Sequence, residues 1–265
     1  MLGLAGCTAH IGDSSSDGPL AADASLDAPP PNLKQRGIVQ VAQTPAGGGP
    51  AAITAGFYRV PVSAQGCQWQ FAGDCSLATC TAQAGAVAVS AGNVAVQFGT
   101  GMTTLSYDAG THSYPGTSFA NVIPAGTPGV LGVAGGDVPN FVSMPLAMPA
   151  ALVVRSPSDG GTISRATDLA LVWDPAPGDA YVYIRQSDAN TGAYPDDGSR
   201  IIRCSVSAAG GGTMVPRELV SQLAPGAHAT NVFVSGANQQ LFSIGGFDVF
   251  VRVLAFDAYR QVSVE

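Results

Sequence analysis

The stretch Leu169-Ala170-Leu171-Val172-Trp173-Asp174-Pro175, followed by Tyr181-Val182-Tyr183-Ile184-Arg185, decides the fold class of this 265-residue chain. In both runs the side chains alternate in kind. Leu171 and Trp173 share one face of the first; Val182 and Ile184 share one face of the second, with Tyr181, Tyr183 and Arg185 opposite. A two-residue period belongs to a half-buried β-strand, because successive side chains of a strand point to opposite faces. The same texture extends in both directions. Upstream lies 152–155; downstream lie 200–206, 231–235, 239–243, 247–256 and 260–264. One short helix is expected over 216–223, with Pro216 at its first position, where a missing N–H is harmless, and Ala224-Pro225-Gly226 as its stop.

Further upstream, short alternating runs begin at Gly37: 38–41, 56–60, 67–71, 76–80, 86–90, 94–98, 103–107, 118–123 and 130–134. Turn residues recur about every 8–12 positions, the spacing of a sandwich or barrel. Gly135-Gly136-Asp137-Val138-Pro139 and the proline-flanked stretch 145–149 close this unit. The expectation is an all-β chain of two tandem β-sandwich domains, 37–149 and 150–265. The second has about eight strands, the size of an immunoglobulin-type sandwich.

Composition narrows the alternatives. Charged residues make up 11% of the chain, with one lysine (Lys34) and two glutamates (Glu218 and Glu265), so a helical bundle or coiled coil is excluded. The net charge of −7 lacks the cationic surface of a nucleic-acid binder. No run of 18 apolar residues is present to span a membrane as a helix.

The N terminus reads as an address. Leu4-Ala5-Gly6-Cys7 resembles the bacterial lipobox, in which a signal peptide is cut before a cysteine that then carries lipid. Only six residues precede Cys7, short of a leader's apolar run, so the motif requires a start upstream of Met1 or is a chance match. Residues 1–7 are the leader remnant on this reading. Residues 8–36, rich in Asp, Ser and Pro and poor in anything to bury, are expected to be a disordered tether. Thr8 and Ala9 follow the cysteine; with no Asp there, the lipobox likeness implies a lipid-anchored protein of the outer membrane, the alternative being secretion.

Two further resemblances concern folded parts. The run 169–175 with the Tyr/Val strand after it is similar to the second and third strands of fibronectin type III domains. The order Cys67…Cys75…Cys80, then 135–141, then Ile202-Arg203-Cys204 resembles uncharacterised predicted lipoproteins of myxobacterial type, over nearly all of 37–265. Its motifs are structural, and it implies no activity.

Cys7 aside, four cysteines remain. A two-residue turn at Gly73-Asp74 makes opposing residues sum to 147, so Cys67 faces Cys80 and Trp69 faces Ala78. A Cys67–Cys80 disulfide is therefore expected. Cys75 lies on the other face, and Cys204, alternating with Ile202 and Val206, reads as an inert core thiol. The spacings match no zinc signature.

The chemistry-bearing motifs are sparse. His10, His112 and His228 are far apart, and no His-Glu-x-x-His pair, phosphate-binding loop or Gly-x-Ser-x-Gly elbow occurs. Gly12-Asp13-Ser14 lies in the tail. A hydrolase would need converging Asp or His residues that the sequence does not single out. Asp188, Asn190, Asp196 and Asp197 form an oxygen-rich loop of the kind that begins calcium sites, with Ser199 where a helical calcium loop has Glu. Tyr181, Tyr183 and Arg185 form an outward ridge suited to stacking on sugar rings, or to docking the first domain. The functional expectation is a non-catalytic envelope lipoprotein acting as a surface interaction or scaffold module for a protein or glycan. A calcium- or glycan-binding adhesion module is the alternative and a hydrolase the second.

Overall fold

The alternating runs become extended backbone. The computed structural model describes residues 33–44, 49–61, 67–81, 86–188, 197–226 and 228–265, without the side chains of 33, 34, 61, 67, 80, 81, 142–144, 187, 188, 197–199, 228, 229, 257 and 258. In chain order the first strands are β1 (Leu33–Gln43), β2 (Ala52–Pro61), β3 (Cys67–Ala72), β4 (Cys75–Thr81), β5 (Val87–Ala88) and β6 (Val94–Phe98). Then come β7 (Gly101–Leu105), β8 (Thr117–Ser118), β9 (Pro128–Val133), β10 (Phe141–Ala147), β11 (Val154–Ser156) and β12 (Thr162–Ile163). The remainder is β13 (Leu169–Trp173), β14 (Asp179–Asp188), β15 (Asp197–Ser207), β16 (Gly212–Val215), α1 (Arg217–Val220), β17 (His228–Ile244) and β18 (Phe247–Val264).

The fold is all-β, as the sequence implies, but the two halves do not keep separate sheets. One 11-stranded sheet runs β3-β4-β15-β14-β17-β18-β1-β2-β5, with β12 joined to β18 and β8 to β2. Strand β1 pairs in parallel with β18, and β4 pairs antiparallel with β15. The boundary near 149 thus divides the chain but not the sheet. The start at 37 is corrected too: 33–36, assigned to the tether, already belong to β1.

Two lids cover one face of this sheet and give two cores. Over β1, β2 and the first half of β18 lies a four-stranded sheet, β10-β9-β6-β7, burying Val39, Val41, Ile53, Phe57, Val96, Phe98, Leu131, Val249 and Val251. Over β4, β15, β14 and the other end of β18 lies a three-stranded sheet, β11-β13-β16, with α1. There Trp173, Leu171, Val182, Ile184, Ile202, Val234 and Val262 pack. The Trp173 indole donates to the Ala208 carbonyl at 3.0 Å, so its one polar atom is satisfied inside the core.

The hairpin β17–β18 serves both cores. The sequence suggests four short strands here, 231–235, 239–243, 247–256 and 260–264. Instead Gly236 sits on the lid-facing side between the cores, where the connector bearing Ala150 crosses it. A Cβ there would strike the Ala150 carbonyl. The glycine permits this crossing within one continuous strand.

The β3–β4 hairpin has the expected register, with Cys67 opposite Cys80 and Trp69 opposite Ala78, and Gly73 at φ 55 in its turn. The side chains of Cys67 and Cys80 lie outside the described ones. Cys204, expected as an inert thiol, is instead disulfide-bonded to Cys75 across β4 and β15, with Cα atoms 4.1 Å apart. The two residues are register partners, facing the second core. This bond spans 129 residues and ties the first half of the chain into the second core.

Candidate functional site

The face of the large sheet that no described element covers carries the ridge expected at Tyr181, Tyr183 and Arg185, and register extends it. Arg203 stands opposite Ser76 on one side and Tyr183 on the other; Tyr183 stands opposite Phe233, and Phe233 opposite Tyr259. Since Ser76 pairs with Phe71, one row runs Phe71–Ser76–Arg203–Tyr183–Phe233–Tyr259 over six strands. At about 4.8 Å per strand it is roughly 24 Å long. Its two end rings are open to solvent, Phe71 at 66% and Tyr259 at 51% exposed.

Two guanidinium groups are held between rings on this face. Arg203 lies 5.3 Å from the Trp69 ring centre and 5.8 Å from that of Tyr183. Arg252 lies 4.5 Å from Tyr181 and 4.8 Å from Phe250. Such contacts strengthen as water is removed. Burial holds the Arg252 guanidinium below its ordinary pKa, and the charge of Arg203 pushes the same way. The ridge is not uniformly open. Tyr181 is buried and joins Ala237 and Leu254 in a small cluster with Tyr183 and Phe256.

A second feature has no forerunner in the sequence reading. At the far edge of the sheet, β8 pairs with β2 at Ala52 and Ile53, and β5 pairs with it at Tyr58 and Arg59. Among the described residues no strand pairs with that edge in between. A recess of about 390 Å³ opens there, walled by Tyr58, Tyr107, His112, Tyr114, Thr54 and Gly116.

Its walls are locally fixed. Tyr114 Oη accepts from the Ala91 N–H at 2.6 Å and donates to the Gly92 carbonyl at 3.0 Å. The Tyr107 and Tyr114 rings are 5.3 Å apart. His112 takes a left-handed φ of 50, in a tight hairpin whose Asp108 carboxylate accepts from the Gly110 N–H at 2.8 Å. That bond, with those from Thr111, holds the Asp108 carboxyl below its usual pKa. Tyr107 Oη lies 3.3 Å from His112 Nδ1. Burial raises the pKa of Tyr58 and of Tyr114. A positive φ at His112 and the spacing of Tyr107 from Tyr114 leave no periodic signal in a sequence.

Several expected positions are not brought together here. Cys7 lies outside the described residues, as do Asn190 and Asp196. Asp188 ends β14 and Asp197 begins β15, with side chains outside the described ones. Among the described residues no group of three or more His, Cys, Asp or Glu converges as a metal site. No model of a known protein family matches the chain, and no curated protein sequence does either.

Proposed function

We propose that this chain is a non-catalytic lipoprotein of the cell envelope, held at the outer membrane by lipid on Cys7. It serves there as an interaction or scaffold module for a surface protein or glycan. The observation that carries the reading is the cross-strand row on the sheet face that no described element covers, with exposed rings at both ends, ring-held Arg203 within it and ring-held Arg252 on the same face. A face of this kind binds acidic, ring-bearing or extended partners through stacking and charge. The Cys75–Cys204 disulfide supports an oxidising, extracytoplasmic setting.

Two measurements test it. The intact mass of protein extracted from membranes is expected to include a lipid adduct that Cys7→Ser abolishes; an unmodified mass overturns the anchoring. A photo-crosslinking residue placed at Phe71 or Tyr259 is expected to trap partners on whole cells, while one at Met102, exposed on the opposite lid, traps none. Equal trapping from both faces, or none from either, overturns the use of this face.

A further inference from the structure

We propose that the recess on the edge of β2 binds a short extended peptide of neutral side chains, taken up as an added antiparallel strand. The site is separate from the arginine-bearing face and does not depend on its role. The argument begins with which backbone groups face the gap. The Phe57 carbonyl accepts from Val89 N–H at 2.9 Å, and the Ala51 carbonyl accepts from Phe119 N–H at 2.8 Å, both across this edge. Alternate residues of a strand present N–H and C=O to the same side. Ala55, between them, therefore turns its own N–H and C=O into the recess, where no described strand meets them.

Direction and length follow from the neighbours. Strands β5 and β8 both run antiparallel to β2, one at each end of the gap. A guest strand continuing their ladder runs the same way and pairs with Ala55, its flanking residues passing beside Gly56 and beside Thr54, which Gly116 already borders. At about 3.4 Å per residue that admits about three residues. The recess volume suits the same length, since about 390 Å³ holds three small or medium residues.

The walls then set the chemistry of the guest. Among the described residues no Asp, Glu, Lys or Arg lines the recess; its polar groups include hydroxyls, the His112 imidazole and the backbone of Ala55. Tyr58 closes over Gly56, whose missing side chain keeps that space for the ring. Tyr107, Tyr114 and His112 form the facing wall. Neutral side chains projecting to either side of the guest meet rings and hydroxyls, while the main chain supplies the affinity, as in other strand-addition sites.

The test uses the full chain, labelled with ¹⁵N, and a panel of capped tripeptides of Val, Thr, Ala and Ser, each with an N-methylated counterpart. The expected result is a concentration-dependent shift of the Ala55 and Gly56 amide signals with the unmethylated peptides, at least about tenfold weaker for the N-methylated ones. Ala55→Pro removes only an edge donor, so the β1–β2 ladder persists while peptide binding falls by a similar factor. Gly116→Leu fills the recess from the other wall and is expected to abolish binding with the fold retained. No shift with any panel peptide overturns the proposal. So does equal binding of the N-methylated set, or a shift produced by the neutral disaccharides cellobiose or chitobiose but not by the peptides.

Discussion

The two sandwiches share one sheet yet are closed in different ways. In the second, the lid meets a core stitched by Cys75–Cys204 and filled by Trp173, and the large sheet beneath it continues into β3. In the first, the sheet ends at β2, whose edge is only partly covered by β5 and β8. The closures also have a common device. Buried Gln43 donates to the Ile123 carbonyl at 2.9 Å and accepts from its N–H at 2.7 Å. Buried Gln186 makes the same pair of bonds with Ala224, at 2.8 and 2.7 Å. In each case a side-chain amide stands in for a strand partner and fastens a loop to the core. The difference teaches that the covalent tie secures the second sandwich, whereas the first relies on packing and leaves part of the β2 edge without a described partner strand.

The largest effect is expected where the sandwiches meet. Gly236→Val forces the connector at Ala150 off β17, and a loss of more than about 4 kcal/mol, read as failure to give a cooperative melt, is expected. Retention of the wild-type melting temperature would show that the crossing is not tight and that the cores are less coupled than argued.

Next comes the covalent tie. Replacing Cys75 and Cys204 together by Ala is expected to cost about 3–5 kcal/mol in denaturant unfolding, since a 129-residue loop is released in the unfolded chain. Hydrogen exchange should rise first in β3, β4 and β15, and remain slow at Val39 and Val251. Uniform loss of protection would erase the contrast between the sandwiches.

The glutamine closures sharpen it further. Gln43→Leu strands the buried Ile123 peptide group, and Gln186→Leu strands the half-buried Ala224 peptide group and the buried Thr230 hydroxyl, for about 2–3 kcal/mol each. The cost should be greater for Gln43, because no described disulfide backs the first core. Equal costs would count against the covalent tie as the source of the difference.

The smallest effect concerns the recess wall. The folded Asp108 pKa is depressed by bonds from the Gly110 and Thr111 N–H groups, so its contribution is present above the unfolded value of about 3.9 and is lost as pH falls through the lower folded value. A carboxyl titration by NMR should place its midpoint below the ordinary carboxylate range. Asp108→Asn should remove that acid-limb dependence and leave the stability of the second core unmoved.

Much of the architecture was readable before any coordinates. The alternation at 169–173 and 181–185 placed Trp173, Val182 and Ile184 inward, where they are found. The Gly73-Asp74 turn fixed the register of β3 on β4. The errors share one cause. The runs 231–235 and 239–243 read as two strands but belong to one, because sequence shows the missing side chain of Gly236 without showing that Ala150 passes over it. Cys204 was rightly placed in the core, but its partner, 129 residues away, is chosen by strand order. Of the row from Phe71 to Tyr259 the sequence shows only Tyr183, with Tyr181 and Arg185 as its neighbours along β14, since the other members come from strands that local pattern cannot align.

By itself, then, the amino-acid order determined the strand texture, the inward and outward faces, and the acidic, lysine-poor character of the chain. These follow from the two-residue period of extended backbone and from composition, both local properties. Tertiary structure alone decided that one sheet serves two cores, that Cys75 meets Cys204, and where β2 has no described neighbour. Each of those depends on which strands lie side by side. Hydrogen bonds between backbones are the same for every residue, so they carry no label that a linear reading can match.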